Sequence, residues 1–281
     1  MKRYKYKRKR INYSKLITIL LFSAGSIIMM FPFVWMVSTS FKIPSQIISY
    51  PPTLIPKPPT IQYYRRIFTE LKFTRFFMNS GYISTIVTVT ALLTSSFVGY
   101  VFAKFNFWGK EFIFIMILST MMIPFAVTMI PLYLIISKLG WINSHLALII
   151  PGLYSTFGIF LMRQFMSTIP NELREAAIVD GCNEFRTFWS IILPQCKPAL
   201  AALGIFTFMW NWDNFLWPLI ILNSEEKFTL PVGLAMFSNQ WWTDYGLVMA
   251  GATVTVIPVL IVFLIFQRQF IQGIVLTGLK M

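Results

Sequence analysis

Polar and aromatic side chains interrupt one apolar run of the sequence, between residues 199 and 222. Three amide or carboxylate groups and three indole rings stand there, at Asn211, Asp213, Asn214, Trp210, Trp212 and Trp217. An aspartate at the centre of a membrane helix costs about 2.5–3.5 kcal/mol, so such a residue usually faces a cavity or a partner helix. Amides and carboxylates can bind hydroxyl groups, and indole faces suit stacking on sugar rings. The residues alone equally allow hydrogen bonds between helices and an interfacial aromatic belt.

A second cluster lies in the polar segment 163–197. Its first half has Leu173, Ala176, Ala177 and Asp180 at helical spacing, and the small alanines on that face would let another surface approach closely. Asp180-Gly181 is a helix-breaking pair, and Asn183 can cap a second short helix. The apolar face of that second helix would comprise Phe185, Phe188, Trp189 and Ile192. The segment therefore predicts a helical hairpin whose aromatic face is covered by another protein surface. The alternative is an ordinary loop helix that packs against lipid headgroups.

The sequence lacks the residue patterns of an enzyme. The only Gly-Lys pair, Gly109-Lys110, is followed by Glu111, so no phosphate-binding P-loop is present. His145 is the single histidine, which argues against a zinc cluster or a catalytic triad. Cys182 and Cys196 both fall in segment 163–197, where reduced thiols are expected. We predict no catalytic residue, no metal site and no cofactor held by this chain.

Composition indicates an integral membrane protein. Of 281 residues, 56% are hydrophobic, 17% aromatic and 12% charged, and the mean hydropathy is +0.66. A membrane-spanning helix needs about 20 apolar residues. Six stretches qualify, approximately 16–40, 80–103, 112–137, 145–162, 199–222 and 246–266. The predicted fold class is all-α: a polytopic protein in which one membrane domain, residues 16–281, follows a basic tail, residues 1–15.

The distribution of positive charge predicts the topology. Eight of the 24 lysines and arginines lie in the first fifteen residues. If that tail is cytoplasmic, sixteen of the 24 fall on inside segments, including segment 163–197, and eight fall outside. The positive-inside rule therefore favours cytoplasmic N- and C-termini. No nucleic-acid-binding module accompanies the net charge of +14, so membrane lipid is the expected partner of the basic residues.

Between the first two spans, an external segment opens with a proline-rich stretch, Tyr50 to Pro59. Apolar residues then recur at helical spacing, with basic residues between them, at Tyr64, Ile67, Phe68 and Leu71. This pattern suits either an amphipathic helix on the membrane interface or a lid packed on the bundle.

The hairpin segment resembles a known motif. The order Glu175-Ala176-Ala177, three residues, Gly181, nine residues, then Ile191-Ile192-Leu193-Pro194 is similar to the EAA loop of ABC importer permeases. The resemblance implies a type I ABC importer permease fold, in which this cytoplasmic loop docks on an ATP-binding subunit. By resemblance, the ATPase-coupling residues are Glu175, Ala176, Ala177, Asp180, Gly181, Phe185, Ile191, Leu193 and Pro194. ATP and Mg²⁺ would be bound by the ATPase subunits.

The stretch Asn211 to Leu219 also resembles permeases of carbohydrate importers, relatives of maltose permease G and arabinooligosaccharide permease Q. The implied function is half of the pathway of an ATP-driven di- or oligosaccharide importer in a bacterial inner or plasma membrane. Its pathway residues would be Asn211, Trp212, Asp213, Asn214 and Trp217. Implied partners are a second permease subunit, two ATP-binding subunits and an extracellular solute-binding protein. The resemblance runs from residue 16 onward and is strongest over residues 171–234.

Two other classes of function are alternatives. An ion-coupled secondary transporter or channel is the main alternative, but only Asp213 among the acidic residues clearly lies within a predicted span. A membrane-embedded hydrolase is disfavoured because no histidine or carboxylate cluster falls in the spans. The identity of the sugar does not follow from the sequence.

Overall fold

The computed structural model describes residues 13–238 and 243–278, which fold into α-helices joined by short turns and loops. No strand occurs in these residues, and one isolated bridge joins Ser238 to Thr243. The predicted all-α class is confirmed. Residues 1–12, most of the predicted basic tail, and residues 279–281 lie outside the described part.

Two long helices and the segment between them form the first part of the chain. The helices are α1 Tyr13–Ser40, α2 Pro44–Ile47, α3 Gln62–Thr69 and α4 Phe73–Lys104. Most side chains of α1 are exposed, as expected of a helix whose neighbours are lipid or another subunit. α4 begins at Phe73 rather than at residue 80, because Phe73 and Phe76 are buried in the protein core.

Helix α3, which lies between the first two predicted spans, packs against the bundle. Tyr63 and Ile67 lie one helical turn apart on α3 and are both buried. They join Phe73 of α4 and Trp212 in one hydrophobic cluster. Of the two alternatives for this segment, the packed lid is therefore the one observed.

The third predicted span, 112–137, is a bent pair of helices rather than one continuous helix. α5 Lys110–Ser119 continues into a 3₁₀ turn, Thr120–Met122, and α6 Phe125–Lys138 follows at an angle of 98°. Pro124 stands at the bend. It donates no hydrogen bond and holds the preceding Ile123 in an extended conformation, which ends the first helix.

The fourth and fifth predicted spans are also interrupted. In the fourth, α7 Leu146–Ile149 and a 3₁₀ turn precede α8 Thr156–Ser167, which extends beyond the predicted end at residue 162. Next come the short helices of the polar segment, α9 Asn171–Val179, α10 Glu184–Thr187 and α11 Leu193–Gln195. The predicted fifth span, 199–222, divides into α12 Lys197–Trp212 and α13 Leu216–Ile221. The last helices of the described part are α14 Leu230–Ala235 and α15 Tyr245–Gly278.

Six crossings are consistent with the helices of the described part. Four stretches are long and apolar enough to cross a membrane, and the number rises to six if each of two bent pairs is one span. The four stretches are Ile17–Ser40, Phe73–Lys104, Leu146–Ser167 and Tyr245–Ile265. The bent pairs are Lys110–Met122 with Phe125–Lys138, and Glu184–Gln195 with Lys197–Trp212.

Helix α4 lies at the centre of the packing, between α8 and α12. Small residues let α4 and α8 come close. A Cβ atom added at Gly99 would lie 2.7 Å from Cβ of Met162 and 2.9 Å from the backbone nitrogen of Arg163. Gly158 of α8 packs against Ser95 of α4 in the same way. This crossing fixes the end of α4 against the polar segment that follows α8.

Candidate functional site

α9 and α10 form a tight helical hairpin. Gly181 lies in the turn with φ +84°, and no atom lies within 4 Å of the position that its Cβ would occupy. The Cys182 backbone N–H donates to the Ala177 carbonyl at 2.9 Å, which satisfies an otherwise unpaired carbonyl at the end of α9. Asn183 caps α10, because its Oδ1 accepts from the Arg186 backbone N–H at 2.8 Å. The predicted helix–turn–helix is confirmed.

A charged pair ties the two helices of the hairpin to each other and to α4. Arg174 of α9 donates from Nε to Oε2 of Glu184 on α10 at 3.1 Å, and its other guanidinium N–H bonds to Oε1. The Tyr100 hydroxyl of α4 donates to the same carboxylate at 2.9 Å. The guanidinium also lies over the ring of Phe105, 4.7 Å from its centroid. Three elements therefore share one hydrogen-bonded carboxylate.

The pKa of Glu184 reflects this arrangement. Burial raises the pKa of the carboxyl, but hydrogen bonds from Arg174 and Tyr100 outweigh burial, and the net pKa lies below its ordinary value. The carboxylate thus stays charged and keeps its two donors at neutral pH.

Lys104, the last residue of α4, holds the start of the hairpin. Its ammonium donates to the Ile169 carbonyl and, at 3.0 Å, to Oδ1 of Asn171. Nearby, Arg163 pairs with Glu111 at 2.7 Å and lies over the Phe114 ring. Helix α4 therefore holds the hairpin at two places, the start of α9 through Lys104 and the start of α10 through Tyr100.

The predicted aromatic face of the hairpin divides in two. Phe188 and Ile192 are buried in a cluster with Tyr100 and Met166, while Phe185 remains 65% exposed and Trp189 40% exposed. Phe188–Ile192 is π-helical and leads to Pro194, whose missing N–H breaks the regular hydrogen-bond ladder. An apolar surface is thereby left on the outside of the hairpin.

The predicted coupling residues accordingly differ in exposure. Glu175, Ala176, Asp180, Gly181, Phe185 and Pro194 are exposed. Ala177 is only 4% exposed, and Ile191 and Leu193 pack against the buried cluster. Ala177 therefore belongs to the packed interior of the hairpin, and Ile191 and Leu193 are partly buried.

A groove of about 560 Å³ opens where α12 stops, beside the bend before α6. Asp213 and Asn214 supply its polar groups, and aromatic and aliphatic side chains, among them Phe125 and Trp210, supply the rest. Trp210 is 76% exposed. At a rise of about 1.5 Å per residue, the 16 residues of α12 place Asp213 about 24 Å from the hairpin end of this helix. The break after α12 and the bend before α6 therefore lie at the same groove.

Three of the five predicted pathway residues do not line this groove. Trp212 is 1% exposed, packs on Phe77 and Phe208, and donates from its indole to the Thr255 carbonyl at 3.2 Å. Trp217 is also buried and donates to the Ala147 carbonyl at 3.0 Å. Asn211 bonds within its own helix, to the Thr207 carbonyl at 2.8 Å. The structure corrects the expectation that these indole rings face a ligand: both are core residues.

Several residues of the site were not predicted from the sequence: Arg174, Glu184, Tyr100 and Lys104 build the attachment of the hairpin. Trp210, one of the three indoles noted in this run but not among the five predicted pathway residues, lines the groove. Tyr100 is 84 residues from Glu184 in the chain, so no local spacing connects them. A tyrosine and a lysine at the end of an otherwise apolar helix were the only available signal.

Comparisons with known proteins extend over nearly the whole chain. The family model described as binding-protein-dependent transport system inner membrane component matches residues 91–275. The arabinooligosaccharides transport system permease protein of Halalkalibacterium halodurans is 38% identical, over 92% of this chain and 94% of that protein. The lactose transport system permease protein of Rhizobium radiobacter is 37% identical, over 89% and 91%.

A solved structure shows the same fold. The crystal structure of a bacterial ABC transporter involved in the import of the acidic polysaccharide alginate matches with a TM-score of 0.83 and 22% identity. The match covers 95% of this chain and 100% of that chain.

Proposed function

Because the chain belongs to the binding-protein-dependent transport system inner membrane components, we propose that it is a permease subunit of an ATP-driven carbohydrate importer. In this proposal it is a multi-pass inner-membrane protein that forms half of a solute pathway for di- or oligosaccharides. It couples that pathway to an ATPase through the hairpin 163–197, with both termini in the cytoplasm. The names of its relatives, permeases for arabinooligosaccharides and lactose, support the class of solute.

The way the hairpin is held carries the proposal. A segment that transmits force must be rigidly attached to the moving helices and must present a surface to the motor. The Glu184 carboxylate, shared by Arg174 and Tyr100, supplies the attachment to α4. Exposed Phe185 and Val179, 65% and 86% accessible, supply an apolar surface that a docked subunit would cover.

The composition of the complex follows from the hairpin. One chain offers one docking surface, so two ATP-binding subunits require a second permease subunit to receive the second one. These ATPase subunits would bind ATP and Mg²⁺, because this sequence has no P-loop. An extracellular solute-binding protein would deliver the sugar. The chain itself performs no covalent chemistry: closure of the ATPases would move the hairpins together and shift the helices around the groove.

The groove provides the solute side of the proposal. Its Trp210 ring and the polar groups of Asp213 and Asn214 combine an apolar face with hydrogen-bonding groups, the usual pairing in small-molecule sites. Interrupted helices beside a cavity are also found where membrane transporters bind their solutes.

Reconstitution tests this function. The chain, its companion permease, the ATPases and the binding protein are placed in liposomes, and uptake of a labelled oligosaccharide is measured. We expect uptake only when ATP is present on the hairpin side. Uptake driven by a proton or sodium gradient without ATP would contradict the proposal and support an ion-coupled transporter.

A further inference from the structure

The groove beside the end of α12 carries a single charge. Of the described residues that line it, Asp213 alone is charged, and the others are Asn214 and apolar or aromatic residues. The Asp213 carboxylate is exposed, and no described residue forms an ion pair or hydrogen bond with it. Its backbone N–H bonds to the Met209 carbonyl, so the position of the residue is fixed by the end of the helix.

A lone carboxylate between apolar walls has a strong effect on a charged solute. Walls of low dielectric constant focus the field of the charge into the cleft. A second negative charge in the groove would be repelled. At a separation of about 6 Å and an effective dielectric constant of about 20, this repulsion would lower the occupancy of the groove by an anionic solute on the order of a hundredfold. A neutral solute with hydroxyl groups is not repelled. Its O–H groups can donate charge-assisted hydrogen bonds to the carboxylate.

We propose that Asp213 makes this groove selective by charge, so that it admits neutral saccharides and rejects uronates and sugar phosphates. The inference rests on the proposed function, since it assumes that the groove belongs to the solute pathway. Trp210 then offers its exposed ring to the apolar face of a sugar, and Asp213 and Asn214 receive the hydroxyl groups. The selectivity lies in this chain itself, in addition to any choice made by a binding protein.

Thiol chemistry can measure the charge of the groove without any transported solute. Leu216 lines the groove and is 49% exposed. A Leu216→Cys reporter is made together with Cys182→Ser, while the buried Cys196 is left in place. The assembled complex is treated with cationic and with anionic methanethiosulfonate reagents, and the two rates of modification are compared.

We expect the cationic reagent to react faster, by roughly tenfold or more relative to its intrinsic reactivity. Asp213→Asn should bring the ratio of the two rates close to the intrinsic value. Asn214→Asp, which adds a second carboxylate to the same wall, should raise the ratio further. In transport assays, Asp213→Asn should increase uptake of a uronate-containing oligosaccharide relative to its neutral counterpart.

Two outcomes would overturn the proposal. If Asp213→Asn leaves the ratio of rates unchanged and weakens assembly with the companion permease, the carboxylate pairs with a cation of that subunit. If Leu216→Cys reacts with neither reagent, with or without ATP, the groove is closed to water and selects nothing. Failure of ATP-driven uptake would count against the proposed function, but it would leave the thiol measurement valid.

Discussion

Arg174 and Glu184 face each other across the turn at Gly181, and their hydrogen bonds close the hairpin that the chain presents below α4. The same carboxylate accepts from Tyr100, so both helices of the hairpin and the long helix α4 are joined at one group. In the proposed mechanism, these bonds would pass movement of the hairpin directly to α4.

Removing the guanidinium should loosen the hairpin. Arg174→Ala leaves Glu184 with only one donor, and the loss of a charged hydrogen-bonded pair costs about 1.5–3 kcal/mol. We expect faster proteolysis at the turn and reduced ATP-driven uptake. Arg186→Ala is the matched control, because Arg186 is an exposed arginine of the same hairpin. Equal effects of the two substitutions would contradict a specific role for the Arg174–Glu184 pair.

Acid should loosen the hairpin in the same way. The folded-state pKa of Glu184 lies below its ordinary value of 4.5, because the hydrogen bonds from Arg174 and Tyr100 outweigh burial. A depressed pKa adds stability that is fully present above the unfolded value and is lost as the pH falls through the folded value. Protection of the hairpin from an acid-stable protease should therefore decline below pH 4.5. In Glu184→Gln, that part of the decline should disappear.

Backbone strain at the turn should uncouple transport. Gly181 has φ +84° with open space around it, so Gly181→Val costs about 1–2 kcal/mol through its backbone conformation rather than through a clash. We expect ATP hydrolysis to continue while uptake per ATP falls. Gly181→Asn should be milder, because asparagine tolerates positive φ.

A second glycine provides the control for that experiment. Gly140 has φ +70° and is equally open, but it lies in the loop after α6, away from the hairpin. Gly140→Val imposes similar strain without touching the docking surface. Uncoupling by both variants would point to general destabilisation instead of a hairpin effect.

Charge reversal on the exposed face of α9 tests docking. The Glu175 side chain is exposed, and no described residue forms an ion pair or hydrogen bond with it, so Glu175→Lys should leave the fold intact. If this face meets an ATPase subunit, the substitution should lower the affinity of that subunit, as measured by co-purification. Normal uptake and assembly would count against the assignment of Glu175.

Substitution of the two tryptophans at the end of α12 should affect different properties, stability for Trp212 and sugar uptake for Trp210. Trp212 is a core residue, and Trp212→Ala should reduce stability by about 3–5 kcal/mol. Trp210 is 76% exposed in the groove, so Trp210→Ala should change stability little and reduce sugar uptake. Thermal unfolding and uptake of both variants distinguish the two roles. Normal uptake by Trp210→Ala would remove that ring from the pathway.

Local signals predicted the hairpin well. Asp180-Gly181 and the Asn183 cap act within a few residues, and the structure has the turn and the cap at those positions. Hydropathy predicted where apolar stretches lie but not the bends within them. A hydropathy window averages over residues 123–124 and 213–215, where only two or three residues leave the helix.

Long-range contacts set the limit of prediction. Burial of Trp212 and Trp217 depends on carbonyls of other helices, supplied by Thr255 and Ala147. A tryptophan suits a core and a sugar site equally, so its type did not decide between them. The attachment of Glu184 to Tyr100 likewise arises only when α4 and the hairpin meet.

Cross-linking from the hairpin tests the central claim most directly. Phe185→Cys, made with Cys182→Ser, places a thiol at the exposed aromatic position of α10. In the assembled complex we predict that a short thiol cross-linker joins this position to an ATP-binding subunit. Labelling of the same cysteine by a membrane-impermeant reagent from outside intact cells, with no product containing an ATP-binding subunit, would contradict the account.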